Sequence, residues 1–106
     1  MEIMAKNVST AYRFRVSDAV QVPLRGMLLR LKLVDGTPEL ESLEPGETIQ
    51  LVGPDGSRRT AEVKAMSLTG GNASQKGLDL YRQLDLVIGP DGAGEAPIGI
   101  GWYVVG

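Results

Sequence analysis

The chain has 106 residues, of which 42% are hydrophobic and 23% charged, and its formal net charge is −2. This length suits one domain with a modest core, and the ordinary composition indicates a globular protein. The sequence contains no cysteine and no histidine, which excludes disulfides, cysteine-based zinc sites and catalysis by a thiol or an imidazole.

Turn-forming residues are frequent, with 14 glycines and 6 prolines, and this favours short strands over long helices. Residues 1–10 carry no strong pattern and are expected to be a loosely ordered lead-in to a single domain over residues 11–106. They lack the apolar segment of a signal peptide, and no apolar run is long enough for a membrane-spanning helix. We therefore expect a soluble, cytoplasmic protein.

The first predicted strand follows the lead-in. Apolar and polar side chains alternate over residues 12–17, and a bend at Asp18-Ala19 separates this run from two further valines. A period of two is typical of a half-buried strand. Arg13 and Arg15 occupy polar positions of the run and are expected on its outer face.

The second predicted strand covers residues 27–34 and is rich in leucine. Its odd-numbered positions form one apolar face, while Arg30 and Lys32 stand on the opposite face. A helix is the competing interpretation, but the neighbouring segments alternate, and Asp35-Gly36 ends the run before a helix reaches a useful length. Residues 37–44 are an acidic connection.

A β-hairpin is the clearest feature of the sequence. Two alternating runs, which begin near Thr48 and Ala61, flank the turn Gly53-Pro54-Asp55-Gly56. Proline, aspartate and glycine at these positions suit a tight turn. The second run changes phase after Ala65, which predicts a β-bulge there.

The rest of the chain contains one ambiguous segment and two further predicted strands. Residues 69–77 are expected to form a polar loop, and residues 78–83 fit either a short helical turn or a strand. Alternation resumes at Leu84, and a second Gly-Pro-Asp-Gly turn follows at residues 89–92. The last strand is expected over residues 97–105, with one face formed by Ile98, Ile100, Trp102 and Val104.

These elements together predict an all-β fold, a small closed antiparallel β-barrel of six or seven strands. Its inward-facing side chains would fill the interior of so small a barrel. The expected core residues are Phe14, Val16, Leu29, Leu31, Ile49, Leu51, Val63, Leu86, Ile100 and Trp102.

Basic residues supply the candidate RNA- or anion-binding site, and these are Arg13, Arg15, Arg30, Lys32, Arg58 and Arg59. If the first two strands pair, four of them share one outer face, where cations meet phosphates electrostatically. The competing interpretation is a solvated strand face. A stacking aromatic side chain beside the charges would favour RNA.

Other chemical motifs are weak. The acidic residues 39–47 lack the spacing of a calcium loop, and the loop at Gly70 lacks the Walker A pattern. We therefore assign no catalytic, cofactor-binding or metal-binding residue and expect no enzyme activity. An enzyme that uses serine, lysine or carboxylates stays as the third hypothesis.

Four short segments carry a family resemblance: Phe14-Arg15-Val16, Leu24-Arg25-Gly26-Met27, Leu43-Glu44-Pro45-Gly46-Glu47-Thr48-Ile49 and Gly101-Trp102-Tyr103-Val104. In type and order they resemble the β-barrel that follows the GTPase domain in translation factors such as elongation factor Tu. The resemblance implies a translation-factor domain 2-like barrel, here as a stand-alone domain without nucleotide hydrolysis. In that family the barrel contacts the small ribosomal subunit or the acceptor end of aminoacyl-tRNA, and it also serves elsewhere as a plain adaptor.

The leading functional hypothesis is a stand-alone binding or adaptor module that acts on a protein partner through its outer surface. The alternative is RNA or ribosome binding through the basic strand face. The sequence leaves the identity of the partner and the oligomeric state open.

Overall fold

The computed structural model describes residues 12–68, 74–89 and 98–106. Their strands are β1 (Tyr12–Val22), β2 (Gly26–Gly36), β3 (Thr48–Val52), β4 (Arg58–Leu68), β5 (Gln83–Ile88) and β6 (Tyr103–Val105). A 3-10 helix covers Leu40–Leu43 in the acidic connection, and an α-helix, α1, covers Gln75–Tyr81.

The six strands close into an antiparallel barrel in the order β1-β2-β5-β4-β3-β6. The shortest strand, β6, pairs with β1 on one side and with β3 on the other, and thereby completes the circle. The predicted all-β closed antiparallel barrel is confirmed, with six strands.

The barrel interior is filled by one apolar cluster, because alternate residues of every strand point inward. All the expected core residues are buried except Ile100, which is 65% exposed. The sequence prediction was wrong there because a tight turn, with Trp102 N–H donating to the Gly99 carbonyl, interrupts the segment before β6. Gly101 has a φ of +94°, the value that a type II turn needs at its third residue.

The register of the barrel strands shifts at three places, and the first lies between Arg13 and Phe14, where β1 pairs with β2. In β1 the register shifts between Val16 and Asp18, where the sequence indicated a bend. In β4 the shift lies between Val63 and Ala65, slightly earlier than the predicted phase change, so Ala65 is exposed instead of facing inward. Alanine is small enough to fit either face, and its position in an alternating run is therefore weak evidence of direction.

The turn between β3 and β4 forms as predicted. Gly56 N–H donates to the Gly53 carbonyl at 3.0 Å, and Asp55 Oδ1 accepts a hydrogen bond from the Ser57 N–H at 3.0 Å. The bonds from Ser57 hold the pKa of the Asp55 carboxyl below its usual value.

The helix α1 begins at Gln75, inside the expected polar loop, and ends at Tyr81, so most of the ambiguous segment 78–83 is helical while Gln83 begins β5. Ser74 Oγ accepts from the Gly77 N–H at 3.0 Å at the start of α1, and Arg82 ends the helix in the left-handed conformation. Leu78 anchors the helix in the core, whereas Tyr81 at the end of the helix is 50% exposed.

Several predicted features fall outside the described residues. These are the lead-in at residues 1–10, the 69–73 part of the polar loop, and residues 90–92 of the second turn. Within the described ranges, no helix is long and apolar enough to cross a membrane.

Candidate functional site

The strands β1 and β2, which carry Arg13, Arg15, Arg30 and Lys32, pair with each other. This pairing is the condition for a shared basic face. Arg15 of β1 lies directly opposite Lys32 of β2, and Arg13 lies opposite Asp35. Residues directly opposite in an antiparallel pair point to the same side of the sheet, with Cβ atoms about 5 Å apart. Arg15 and Lys32 are both exposed, so two positive charges stand side by side on the barrel surface.

This pair begins a row of outward-facing residues that crosses five strands. Arg15 also lies opposite Tyr103 of β6, Tyr103 lies opposite Val52 of β3, and Val52 lies opposite Arg58 of β4. Tyr103 and Val52 are half-buried, and Arg58 is exposed. The order across the barrel is therefore two cations, an aromatic ring, an apolar side chain and a third cation.

Arg13 also contacts this row, because its side chain lies over the Tyr103 ring. Its guanidinium carbon lies 5.0 Å from the centre of the Tyr103 ring, at a distance typical of a cation–π contact. At an exposed position such a contact contributes about 0.5–1 kcal/mol. Below, "basic face" means Arg13, Arg15, Lys32 and Arg58 together with Tyr103 and Val52. Its cations can bind phosphate or carboxylate groups, and its tyrosine and guanidinium planes can stack on planar groups.

Arg30 stands on the same outer surface but in a different electrostatic setting. Its Nε and Nη2 atoms donate to the two carboxylate oxygens of Asp85 at 3.2 and 3.4 Å. These hydrogen bonds and the charge of Asp85 raise the pKa of Arg30 above its usual value, with a smaller contribution from Asp18 across the strand pair. Because Asp85 and Asp18 offset the positive charge of Arg30, we do not count Arg30 in the basic face.

Arg58 and Arg59 are adjacent in β4 and therefore face opposite ways. Arg58 belongs to the basic face. Arg59 is half-buried, and its guanidinium carbon lies 5.4 Å from the centre of the Trp102 ring. Its side chain therefore lies on the inner side of β4, against the core. Gly53 packs close to the same indole ring, because a Cβ at that position would lie 3.0 Å from Trp102.

Tyr103, Val52 and Arg58 were not expected from the sequence on the same face as the basic residues of β1 and β2. Alternation over residues 102–105 already indicates that Tyr103 faces away from the buried Trp102. The neighbours of Tyr103 depend on the pairing of β6 with β1 and β3, and alternation does not specify pairings between distant segments.

A groove lies beside α1, between the helix and the acidic connection. Its volume is about 410 Å³, and Pro38, Gln75, Asp79 and Arg82 are among its lining residues. The Gln75 side-chain amide bonds the Leu40 N–H at 2.7 Å, and the Pro38 carbonyl and the Asp79 carboxylate at 2.9 Å each. These bonds attach α1 to the connection and commit the Gln75 amide to a structural role.

Metal-ligating side chains do not cluster in the part of the chain that the structure describes, where no group of three or more could hold an ion. No protein-family model matches the sequence, and no curated protein is significantly similar to it.

Proposed function

We propose that this protein binds RNA through the basic face, as a cytoplasmic barrel of the translation-factor domain 2-like type. The observation that carries the proposal is the position of Tyr103 between cations: Arg13 lies over its ring, Arg15 lies opposite it in β1, and Arg58 follows two strands away, across Val52. RNA offers phosphates to the cations and base rings to the tyrosine. A solvated strand face, which was the competing interpretation, needs no aromatic ring among its charges.

The distribution of charge supports the same conclusion. The whole chain is slightly acidic, with a formal charge of −2, whereas the basic face carries four cations and Asp35 opposite one of them. A cationic patch on an acidic protein attracts a polyanion to one surface and repels it elsewhere. The charge pattern therefore orients an approaching RNA toward the basic face.

Charge reversal at this face tests the proposal. A fluorescein-labelled RNA is titrated with the wild type and with Arg15→Glu/Lys32→Glu, and binding is followed by fluorescence anisotropy at two salt concentrations. The matched control is Arg25→Glu/Lys76→Glu, which changes the net charge equally at two exposed residues that do not belong to the basic face.

We expect the face variant to lose at least about tenfold in affinity and the control to bind like the wild type, because only the first removes phosphate contacts. Equal losses in both double variants would mean that overall charge alone governs binding, and would contradict the proposal.

A second candidate function, binding to a protein partner, is favoured by the tip of the β1–β2 hairpin. Leu24 at this tip is fully exposed and has a φ of +66°, in the left-handed region that an L-residue occupies at a cost of about 1–2 kcal/mol. Val20 on the same hairpin is 49% exposed. An apolar pocket of a partner would remove both side chains from water.

The test of this second function compares the wild type with Leu24→Gly and Leu24→Ser as baits in cell lysate. A protein that the wild type retains and both variants lose would support an adaptor role at the tip. Retention of the same proteins by all three baits would contradict it.

A further inference from the structure

We infer that the RNA bound by the basic face is single-stranded and lies across the strands of the barrel, from Lys32 of β2 to Arg58 of β4. This inference rests on the proposed RNA-binding function and adds the class of RNA and its direction. It follows from the order of side chains in the row, from the shape of the surface and from the position of Arg13.

The order of the side chains separates single strands from duplexes. Charges stand at the two ends of the row, while its middle is the half-buried pair Tyr103 and Val52. A duplex presents its phosphates to the protein and keeps its bases stacked inside, so it would offer no base to the ring in this middle. A single strand can place an unpaired base on the ring and its phosphates on the flanking cations.

Arg13 extends the stacking surface. One face of its guanidinium group lies over the Tyr103 ring, 5.0 Å from the ring centre. Because the guanidinium group is planar, its other face is available to a base, and arginine planes serve as stacking surfaces in RNA recognition. The tyrosine therefore positions a cation that both stacks and binds phosphate.

The shape of the barrel points the same way. The outer surface of a small closed barrel is convex, so a rigid duplex touches it along one narrow line, while a flexible strand can follow the curve. Adjacent strands lie about 4.8 Å apart, so the four steps from Lys32 to Arg58 cover about 19 Å measured along the curved wall of the barrel. At about 3.4 Å per stacked nucleotide, and with known minimum sites of about four, this span accommodates about four to six nucleotides.

The experiment uses fluorescein-labelled RNA with the intact protein. The probes are unstructured single strands of two to twelve nucleotides, a blunt duplex with the same number of phosphates as the longest strand, and poly-glutamate as an acidic polypeptide. The variants are Tyr103→Leu, which keeps apolar volume at the half-buried site, and Tyr103→Phe, which keeps the ring.

We expect single strands to bind at least about tenfold more tightly than the duplex, with affinity rising steeply up to about six nucleotides and little beyond that length. Tyr103→Leu should weaken single-strand binding by at least about fivefold and leave duplex binding unchanged, and Tyr103→Phe should bind like the wild type. Thermal unfolding of each variant verifies that it is folded, and the comparison of probes needs no variant.

Different results identify which proposal fails. Duplex binding as tight as single-strand binding, poly-glutamate binding as tight as RNA, or no effect of Tyr103→Leu on single-strand affinity in the folded variant would overturn the single-strand inference. Absence of binding to every RNA at low salt would overturn the proposed function itself.

Discussion

Replacing Lys32 with glutamate should strengthen the fold and weaken the proposed RNA binding at the same time. In the barrel, Lys32 lies directly opposite Arg15, so two like charges face each other across the strand pair. Like charges at this position are destabilising, and an opposite pair is stabilising by about 0.2–1 kcal/mol. The substitution converts the first case into the second.

The magnitude is limited by exposure, because both side chains lie in water and exposed ion pairs contribute about 0–1 kcal/mol. We therefore expect Lys32→Glu to raise the free energy of unfolding by about 0.5–1 kcal/mol. For a domain of this size that corresponds to a melting temperature higher by about 2–6 °C. The assay is thermal unfolding followed by circular dichroism at low ionic strength.

RNA binding is measured on the same samples. A bound single strand gives a salt slope of about −0.7 per phosphate contact, so four contacts give about −3 and the loss of one makes the slope shallower by about 0.7. Arg25→Glu at the hairpin tip is the matched control, with the same change of charge and no cation opposite it in the register. A lower melting temperature in Lys32→Glu, together with an unchanged salt slope, would refute both the register and the binding role.

Three further predictions concern the fold. Asp85→Asn removes one partner of the charged, two-bond contact with Arg30, so we expect a small drop in melting temperature that high salt abolishes, and an RNA affinity no lower than that of the wild type, because a negative charge beside Arg30 is lost. Gly26→Ala should lower the free energy of unfolding by about 2–4 kcal/mol in denaturant titrations. The reason is that Gly26 has a φ of +126° and that a Cβ would overlap the Ile88 carbonyl. A variant as stable as the wild type would contradict this prediction, because it would mean that the hairpin backbone can shift to make room for the Cβ. Burial raises the pKa of the Tyr12 phenol above 10.0 despite a hydrogen bond with Ser42, so stability should be full below pH 10 and fall as the pH rises through the folded-state pKa. Tyr12→Phe should show a smaller loss of stability above pH 10, and an identical pH profile would contradict this assignment.

The fold class and almost all of the core could be predicted from the sequence because alternation reports which side of a strand is buried. Phe14, Leu31 and Val63 stand in such runs and are fully buried. Ile100 was predicted wrongly because it also alternates with its neighbours, while the turn that exposes it depends on the positive φ of Gly101. Glycine fits a strand and a turn equally well in sequence, so the pattern alone did not separate them.

The candidate site was predictable only in part. Arg13, Arg15 and Lys32 were expected on one outer face, and the strand pairing places them there. The same alternation, applied to Arg58 and Arg59, would have separated these two arginines. The position of Tyr103 beside the cations follows from barrel closure, a long-range pairing that local patterns do not encode.

The shortness of β6 has a consequence for how the barrel folds. Its three residues form three residue pairs with β3, so that seam of the barrel is short, whereas the contact with β1 is extended by backbone bonds of Tyr12 and Val16 to the residues that flank β6. A ligand that reaches from Lys32 to Arg58 would cross the seam between β6 and β3 and hold its two sides together. Opening of β6 separates the two halves of the basic face, so the amide hydrogens of this strand should exchange with solvent more slowly when the face is occupied.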